Sequence, residues 1–296
     1  MTERKAATMH ENSTREVVGE RLAGDVPVSW QGGALEGLFE RLAATVRDGA
    51  VLRETRGRRT VAAAVDGRRL VVKRFVGDEP RDWWHERLRG EPRSPARREA
   101  AALAAARAAG LAVPRPLVWC GESPARLAPP RPGSGATSFL VLEWVDHATH
   151  LARALAAASA AERTHLVRAA VDLVARFHAA GFVHRDLYAP HFVIERASGA
   201  LVLLDLGRAR RCDPNARASR RRFVKDLAAL HATLPAAVGA HERRRALLVW
   251  CERVLGSRAA ARELAPAIEH KARALFAHTP IDPGTDRVDW PREVVV

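Results

Sequence analysis

HRDLYAPHF, residues 184–192, is the stretch from which the fold of this chain can be read. It follows a helical pattern at 160–180, in which Leu166, Ala170, Leu173, Val174 and Phe177 share one face. Two short apolar runs come next, FVIE at 192–195 and LVLLDLG at 201–207, and together they read as a buried hairpin. Asp186 and Asp205 therefore flank one hairpin. Each residue alone has a bland reading: His184 as a satisfied core histidine, Asp186 as a turn residue, Asp205 as an ordinary strand-end aspartate. Their order and spacing carry the argument instead.

Upstream, VLRETRGRRTVAAAVDGRRLVVKRF at 51–75 reads as three short strands turning near Gly57 and at Asp66-Gly67, the second a two-residue hairpin signal. Lys73 lies on the third of them, on the same face as Val71. The stretch WWHERLRGEPRSPARREAAALAAARAAG turns helical, with Ser94 as N-cap, Pro95 as first helical residue and Gly110 as stop. Glu99 falls inside that helix, in ARREAAAL. Further strands are expected at 116–120 and 138–144, with a Pro/Gly-rich loop at 123–136 and an amphipathic helix at 34–47.

The expected architecture is α+β and bilobal. A flexible tail at 1–33 precedes a small antiparallel-sheet lobe at 34–145, with five strands and one main helix. A larger helical lobe at 146–279 follows, almost wholly helical over 222–278, and then a tail at 280–296.

Composition narrows the function classes. The chain has 296 residues, a formal net charge of +14 and 47% hydrophobic residues, which suits a globular protein. Of its 48 basic residues only four are lysine: Lys5, Lys73, Lys225 and Lys271. Where arginine is the default cation, a lysine marks a position that needs a compact ammonium. Cys120, Cys212 and Cys251 form no CxxC pair, so buried thiols in a reducing compartment are expected. The N-terminus has no apolar signal core and no apolar run is long enough to span a bilayer. A cytoplasmic protein is expected, with peripheral contact at an inner membrane left open. No nucleic-acid motif accompanies the charge, so no nucleic-acid partner is expected.

A strand lysine, a helical glutamate, the apolar strand SFLVLEWVD running into a polar bend, HRDLYAPH and LVLLDLG resemble the protein-kinase signature set in chain order. Three details resemble the bacterial lipopolysaccharide core heptose/Kdo kinase family more closely. They are a histidine five residues after the aspartate in HRDLYAPHF, a DLxRAR sequence after the second strand, and the later VKDLAAL. Members of that family phosphorylate a sugar of the lipopolysaccharide inner core using ATP. The resemblance implies a protein-kinase-like fold, ATP and Mg²⁺ as cofactors, and a sugar or glycolipid acceptor.

It also implies residue roles. Lys73 holds nucleotide phosphates, Glu99 orients Lys73, and Glu143 and Val145 offer backbone groups to adenine. Asp186 takes or orients the acceptor proton, and Asp205 carries the metal. His184, Arg185 and Asp226 brace the catalytic loop. His191 stands where a protein kinase has asparagine, and metal ligation and loop bracing are both open for it.

The segment RETRGRRT has one glycine where protein kinases have a glycine-rich loop, which turns attention to Arg58 and Arg59 as phosphate contacts. Between Asp205 and Asp226 no APE-like motif occurs, leaving no long peptide-docking segment and favouring a small molecule or glycolipid as acceptor. That stretch carries Arg208, Arg210, Arg211, Arg217, Arg220, Arg221 and Arg222. It reads equally as a solvated basic loop and as a bed for an anionic glycolipid or membrane surface. Two alternatives stand beside the sugar kinase. One is a small-molecule phosphotransferase, against which Arg185 and His191 argue. The other is a non-catalytic kinase-like binding protein.

Overall fold

The computed structural model describes residues 17–22, 26–55, 57–76, 88, 94–122 and 136–278. The expectations at 1–16, 123–135 and 279–296, and most of the helical onset at 83–93, lie outside the described residues. Among the described residues, six strands form one antiparallel sheet: β1 (Val17–Arg21), β2 (Ala50–Thr55), β3 (Arg58–Val65), β4 (Arg68–Val76), β5 (Pro116–Glu122) and β6 (Thr137–Glu143). Their order across the sheet is β1-β5-β6-β4-β3-β2.

Strand β1 corrects the expected tail at 1–33 and the expected count of five strands. VVGER offers two adjacent valines and no turn signal, and its partner β5 lies far downstream, with Val17 opposite Glu122 and Gly19 opposite Cys120. Local periodicity cannot register a strand whose stability comes from a distant neighbour. Gly19 is needed there: a Cβ would meet the Trp119 carbonyl oxygen at 2.6 Å.

One helix covers each face of the sheet: the amphipathic helix expected at 34–47 and the main helix expected after Ser94. On one face, α1 (Leu35–Asp48) buries Leu38, Leu42 and Val46 against Leu70, Val72, Val61, Phe139 and Val141. On the other, α2 (Pro95–Ala108) buries Ala96, Ala100, Leu103 and Ala106 beside Leu140 and Leu142. Strand β6 is therefore apolar on both faces, which explains the unbroken run FLVL in place of alternation. In β4 the alternation sends Leu70 and Val72 toward α1, and Val71 and Lys73 toward the opposite side. Ser94 Oγ accepts from the Arg97 amide at the start of α2, with Pro95 in the first turn, as the sequence indicated.

The second lobe contains α3 (Leu151–Ala157), α4 (Ala160–Ala179), α5 (Arg217–Thr233), α6 (Ala240–Leu255) and α7 (Ala260–His278). Strand β7 (His147–His150), which follows β6, joins β9 (Phe192–Glu195) and β10 (Leu201–Leu203) in a three-stranded sheet, after the short β8 (Phe182–Val183) that pairs with β11 (Arg210–Arg211). The second run of the hairpin ends at Leu203, earlier than LVLLDLG suggests, because Asp205 adopts a left-handed conformation (φ 60°, ψ 59°) and starts a 3-10 turn. Arg208 closes the 3-10 turn, Arg210 and Arg211 form β11, and Arg217 to Arg222 belong to the first turns of α5, so the basic stretch is not one solvated loop. All three cysteines are free, and burial pushes the Cys120 thiol up to about 12, which makes it unreactive. No helix among the described residues is long and apolar enough to cross a membrane.

Candidate active site

Glu99 is fully buried on the apolar stripe of α2, between Ala96 and Leu103. A carboxylate in that position is strongly destabilising unless an opposite charge meets it. Lys73 meets it, 5% exposed on the facing side of β4, with Nζ 2.5 Å from Glu99 Oε1. The same ammonium lies 3.5 Å from Asp205 Oδ1. Gly207 lets the pair approach, since a Cβ there would come within 3.2 Å of Glu99 Oε2.

Asp205 attracts more cations than Lys73. Arg58 Nη2 stands 3.1 Å from Oδ1 and Nη1 3.4 Å from Oδ2, and Arg53 Nη1 is 3.7 Å from Oδ2. Burial alone would raise the Asp205 carboxyl, but Lys73, Arg58 and His191 hold it well below the usual carboxylate range. The two arginines named from RETRGRRT separate in space: Arg58 turns inward, whereas Arg59 faces Glu54 at 3.6 Å. Arg53 was not foreseen.

His191 resolves into a definite tautomer. Its Nδ1 donates to the Asp186 carbonyl at 2.8 Å, leaving the Nε2 lone pair 3.9 Å from Asp205 Oδ2. Burial lowers the imidazole to about 4, even with Asp205 beside it, so the ring is neutral near pH 7. The Asp186 carbonyl also accepts from the Tyr188 amide at 2.9 Å, which closes the loop tightly. The Asp186 carboxylate is bridged by Arg208 Nη1, 2.9 Å from each oxygen. Lys225 lies close by: burial first, then Arg208 and Arg185, lower its ammonium, while Asp186 acts the other way.

The loop carrying Asp186 hangs from α5. Asp226, fully buried, accepts from the His184 amide at 2.6 Å and the Arg185 amide at 2.7 Å. Trp250 Nε1 donates to His178 Nδ1 at 3.0 Å, which places the ring proton on Nε2, 3.3 Å from Asp226 Oδ2. The His184 ring donates from Nε2 to the Leu204 carbonyl at 3.0 Å, tying the loop to the residue before Asp205. Of the three non-glycine residues with positive φ among the described residues, two are Arg185 (74°) and Asp205 (60°). Such conformations persist only where surrounding bonds fix them, and here they mark both acidic loops.

Thr233 was missed by sequence reasoning. It lies seven residues beyond Asp226 on the same face of α5, and its hydroxyl accepts from the Ala189 amide at 2.8 Å while donating back to Ala229. The i, i+7 spacing from Asp226 was the available signal. Thr233→Val keeps the shape but leaves a buried amide without an acceptor. It is expected to cost about 1–3 kcal/mol in urea unfolding and to speed hydrogen exchange at Ala189.

Lys73, Arg58, His191 and Asp205 line a cleft between the lobes together with Val71, Leu142, Pro190 and Leu204, and Asp186 joins it through its backbone bond to His191. Glu143 and Val145 form its inner edge. The Glu143 amide is used by the Arg115 carbonyl at 2.9 Å, and its carboxylate lies 3.6 Å from Arg68, so its remaining backbone group is the carbonyl. The Val145 carbonyl accepts from the His147 ring at 3.0 Å. Apolar walls with a few convergent polar groups suit a flat, polar-edged ligand carrying an anionic tail.

The chain matches the family model "Lipopolysaccharide kinase (Kdo/WaaP) family" over residues 43–246. Among solved structures, one described as WaaP in complex with acyl carrier protein is similar at 26% identity and a TM-score of 0.61. The match covers 84% of this chain and 95% of that one. The Cydia pomonella Granulovirus kinase PK-1 aligns over 60% of each chain, at 14% identity and a TM-score of 0.37. No curated protein sequence matches. The matched span contains Lys73, Glu99, Asp186, His191, Asp205 and Asp226, the residues whose convergence is described above. The chain belongs to the lipopolysaccharide kinase (Kdo/WaaP) family, has a bilobal protein-kinase-like fold, and is a phosphotransferase with an alcohol group as acceptor.

Proposed function

We propose that this protein transfers the γ-phosphate of ATP to a hydroxyl of an inner-core sugar, heptose or Kdo, of lipopolysaccharide or a related glycolipid. The observation that carries the proposal is the convergence of Lys73, Asp205 and the Asp186 loop, from two lobes, on one cleft. Val71, Leu204 and Pro190 supply apolar walls that would take adenine, and Glu143 and Val145 supply the backbone it would meet. Lys73, held by Glu99, neutralises the α/β-phosphates as a point charge. Asp186 accepts or orients the proton of the sugar hydroxyl. The cations grouped at Asp186, namely Arg208, Arg185 and Lys225, favour an acceptor with an anionic substituent near the reacting hydroxyl.

The donor set fits a magnesium ion. Asp205 supplies a hard carboxylate that already attracts the cations around it, and the His191 Nε2 lone pair faces the same point. No group of three or more such ligands occurs among the described residues, consistent with an ion that takes its remaining ligands from water and substrate phosphates. When bound, such an ion neutralises charge that develops on the transferred phosphoryl group. Asp205 and His191 would hold it, and His191 also fixes the Asp186 loop through Nδ1.

Acceptors of this size do not need a peptide-docking segment, and the chain passes from Asp205 into α5 without one. On this reading the protein works in the cytoplasm, and the basic start of α5 is available to an anionic membrane surface. Lipopolysaccharide from cells lacking the gene is expected to be lighter by one phosphate in mass spectra, restored by the wild-type gene and not by Glu99→Gln. An unchanged phosphate content in the deleted strain contradicts the substrate assignment.

A further inference from the structure

The carboxylate at 205 is over-neutralised. Asp205 and Glu99 supply two negative charges, and Lys73, Arg58 and Arg53 meet them with three positive ones. Lys73 already has Glu99 at 2.5 Å, so Arg58, on both Asp205 oxygens, is the surplus partner. A divalent cation bound to those oxygens and a guanidinium on the same oxygens repel each other at contact distance. Arg58 therefore has to leave Asp205 for the metal to enter.

The backbone fixes where it goes. Arg58 opens β3 directly after Gly57, which has φ +81° and whose carbonyl accepts from the Val76 amide at 2.7 Å. The register pairs Arg58 with Phe75 and Thr60 with Lys73, so the Arg58 side chain emerges on the cleft face, one alternate position beyond Lys73. Its guanidinium lies 5.7 Å from the Phe75 ring centroid, and its buried Nε has no hydrogen-bond partner. The side chain is 23% exposed and lines the cleft, so it can swing without leaving it. It overhangs the place where phosphates follow from Lys73, in a hairpin that lacks the glycine-rich backbone cradle used elsewhere for phosphates.

We propose that Arg58 is an exchangeable counter-ion: it occupies Asp205 in the nucleotide-free protein and transfers to the terminal phosphates of the nucleotide when a divalent cation takes Asp205. The proposal rests on the ATP-kinase reading above. It assigns phosphate recognition to a side chain in place of a glycine-rich loop. It also makes metal and nucleotide binding mutually dependent, because metal alone must evict Arg58 without offering it a new partner.

The test uses the full chain and direct binding. Mn²⁺ alone is followed by its electron spin resonance signal, and ATP at saturating Mg²⁺ by calorimetry, for wild type, Arg58→Ala, Arg58→Gln and Arg59→Ala. Loss of Arg58 is expected to tighten Mn²⁺ binding about tenfold and to weaken ATP binding at saturating Mg²⁺ about tenfold or more. Arg59→Ala moves neither. Opposite shifts separate an exchanging residue from a merely structural one, which would weaken both. If wild type binds ATP and both Arg58 variants, folded by circular dichroism, match it or lose both ligands together, the exchange is overturned. If wild type binds no ATP with or without metal, the kinase reading itself is contradicted and the exchange falls with it.

Discussion

Asp186→Asn is expected to lower phosphoryl transfer by about 10²–10⁴-fold while ATP binding stays within a few-fold of wild type. The substitution preserves size, and the loop is held by its backbone: the Asp186 carbonyl keeps both the Tyr188 amide and His191 Nδ1. What disappears is the carboxylate that Arg208 bridges at 2.9 Å and to which the proposed mechanism gives the acceptor proton. Asp205→Asn is expected to fail differently. It removes the charge around which Lys73, Arg58 and His191 are arranged, so metal-dependent nucleotide binding is lost together with turnover. Calorimetric titration with ATP and Mg²⁺, beside initial rates, distinguishes the two. If both variants lose nucleotide binding equally, Asp186 has no role separate from Asp205.

The second large effect is on stability. Asp226 is fully buried and accepts from the His184 and Arg185 amides and from the His178 ring. Asp226→Ala strands those donors together and is expected to cost about 3–5 kcal/mol in urea unfolding at neutral pH. Burial on its own would raise this carboxyl, but the His178 hydrogen bond and the His184 amide bring it below its ordinary value. A lowered folded pKa means that the unfolded chain binds the proton more readily, so the contribution is present above the ordinary carboxylate range. It is lost as pH falls through the folded pKa. The stability gap between wild type and Asp226→Asn is therefore expected to narrow on acidification below about pH 4. A gap that widens in acid contradicts the assignment of Asp226 as an ionised acceptor.

The parts of this structure legible in the sequence are those where chemistry demands a fixed residue type at a fixed local spacing. HRDLYAPHF carries a donor-bound loop, a strained backbone at Arg185 and a histidine that closes the turn, and few other strings satisfy all three. The ARREAAAL context favoured Glu99, which falls on the alanine-rich stripe that α2 buries. Lys73 stood out as a rare lysine on an apolar strand.

Long-range partnerships left no such trace. Strand β1 exists through β5, about a hundred residues away. Arg53 reaches Asp205 from the far strand of a hairpin, and Arg208 reaches Asp186 across the β9–β10 hairpin. In a chain with 48 basic residues, nothing local marks Arg53 out from solvated ones, and the DLxRAR sequence that contains Arg208 does not name Asp186 as its partner. The early end of β10 follows from the left-handed conformation of Asp205, which an apolar run does not announce.

One measurement addresses the central claim directly: incubation of the purified protein with ATP labelled on its γ-phosphate, Mg²⁺, and lipopolysaccharide stripped of its core phosphates. The label is expected to appear covalently on the inner-core sugar with wild type, and to be absent with Asp186→Asn. If a folded wild-type protein leaves every glycan unlabelled, or if the Asp186→Asn variant labels it equally, then the convergence of these side chains on one cleft does not serve phosphoryl transfer to sugar.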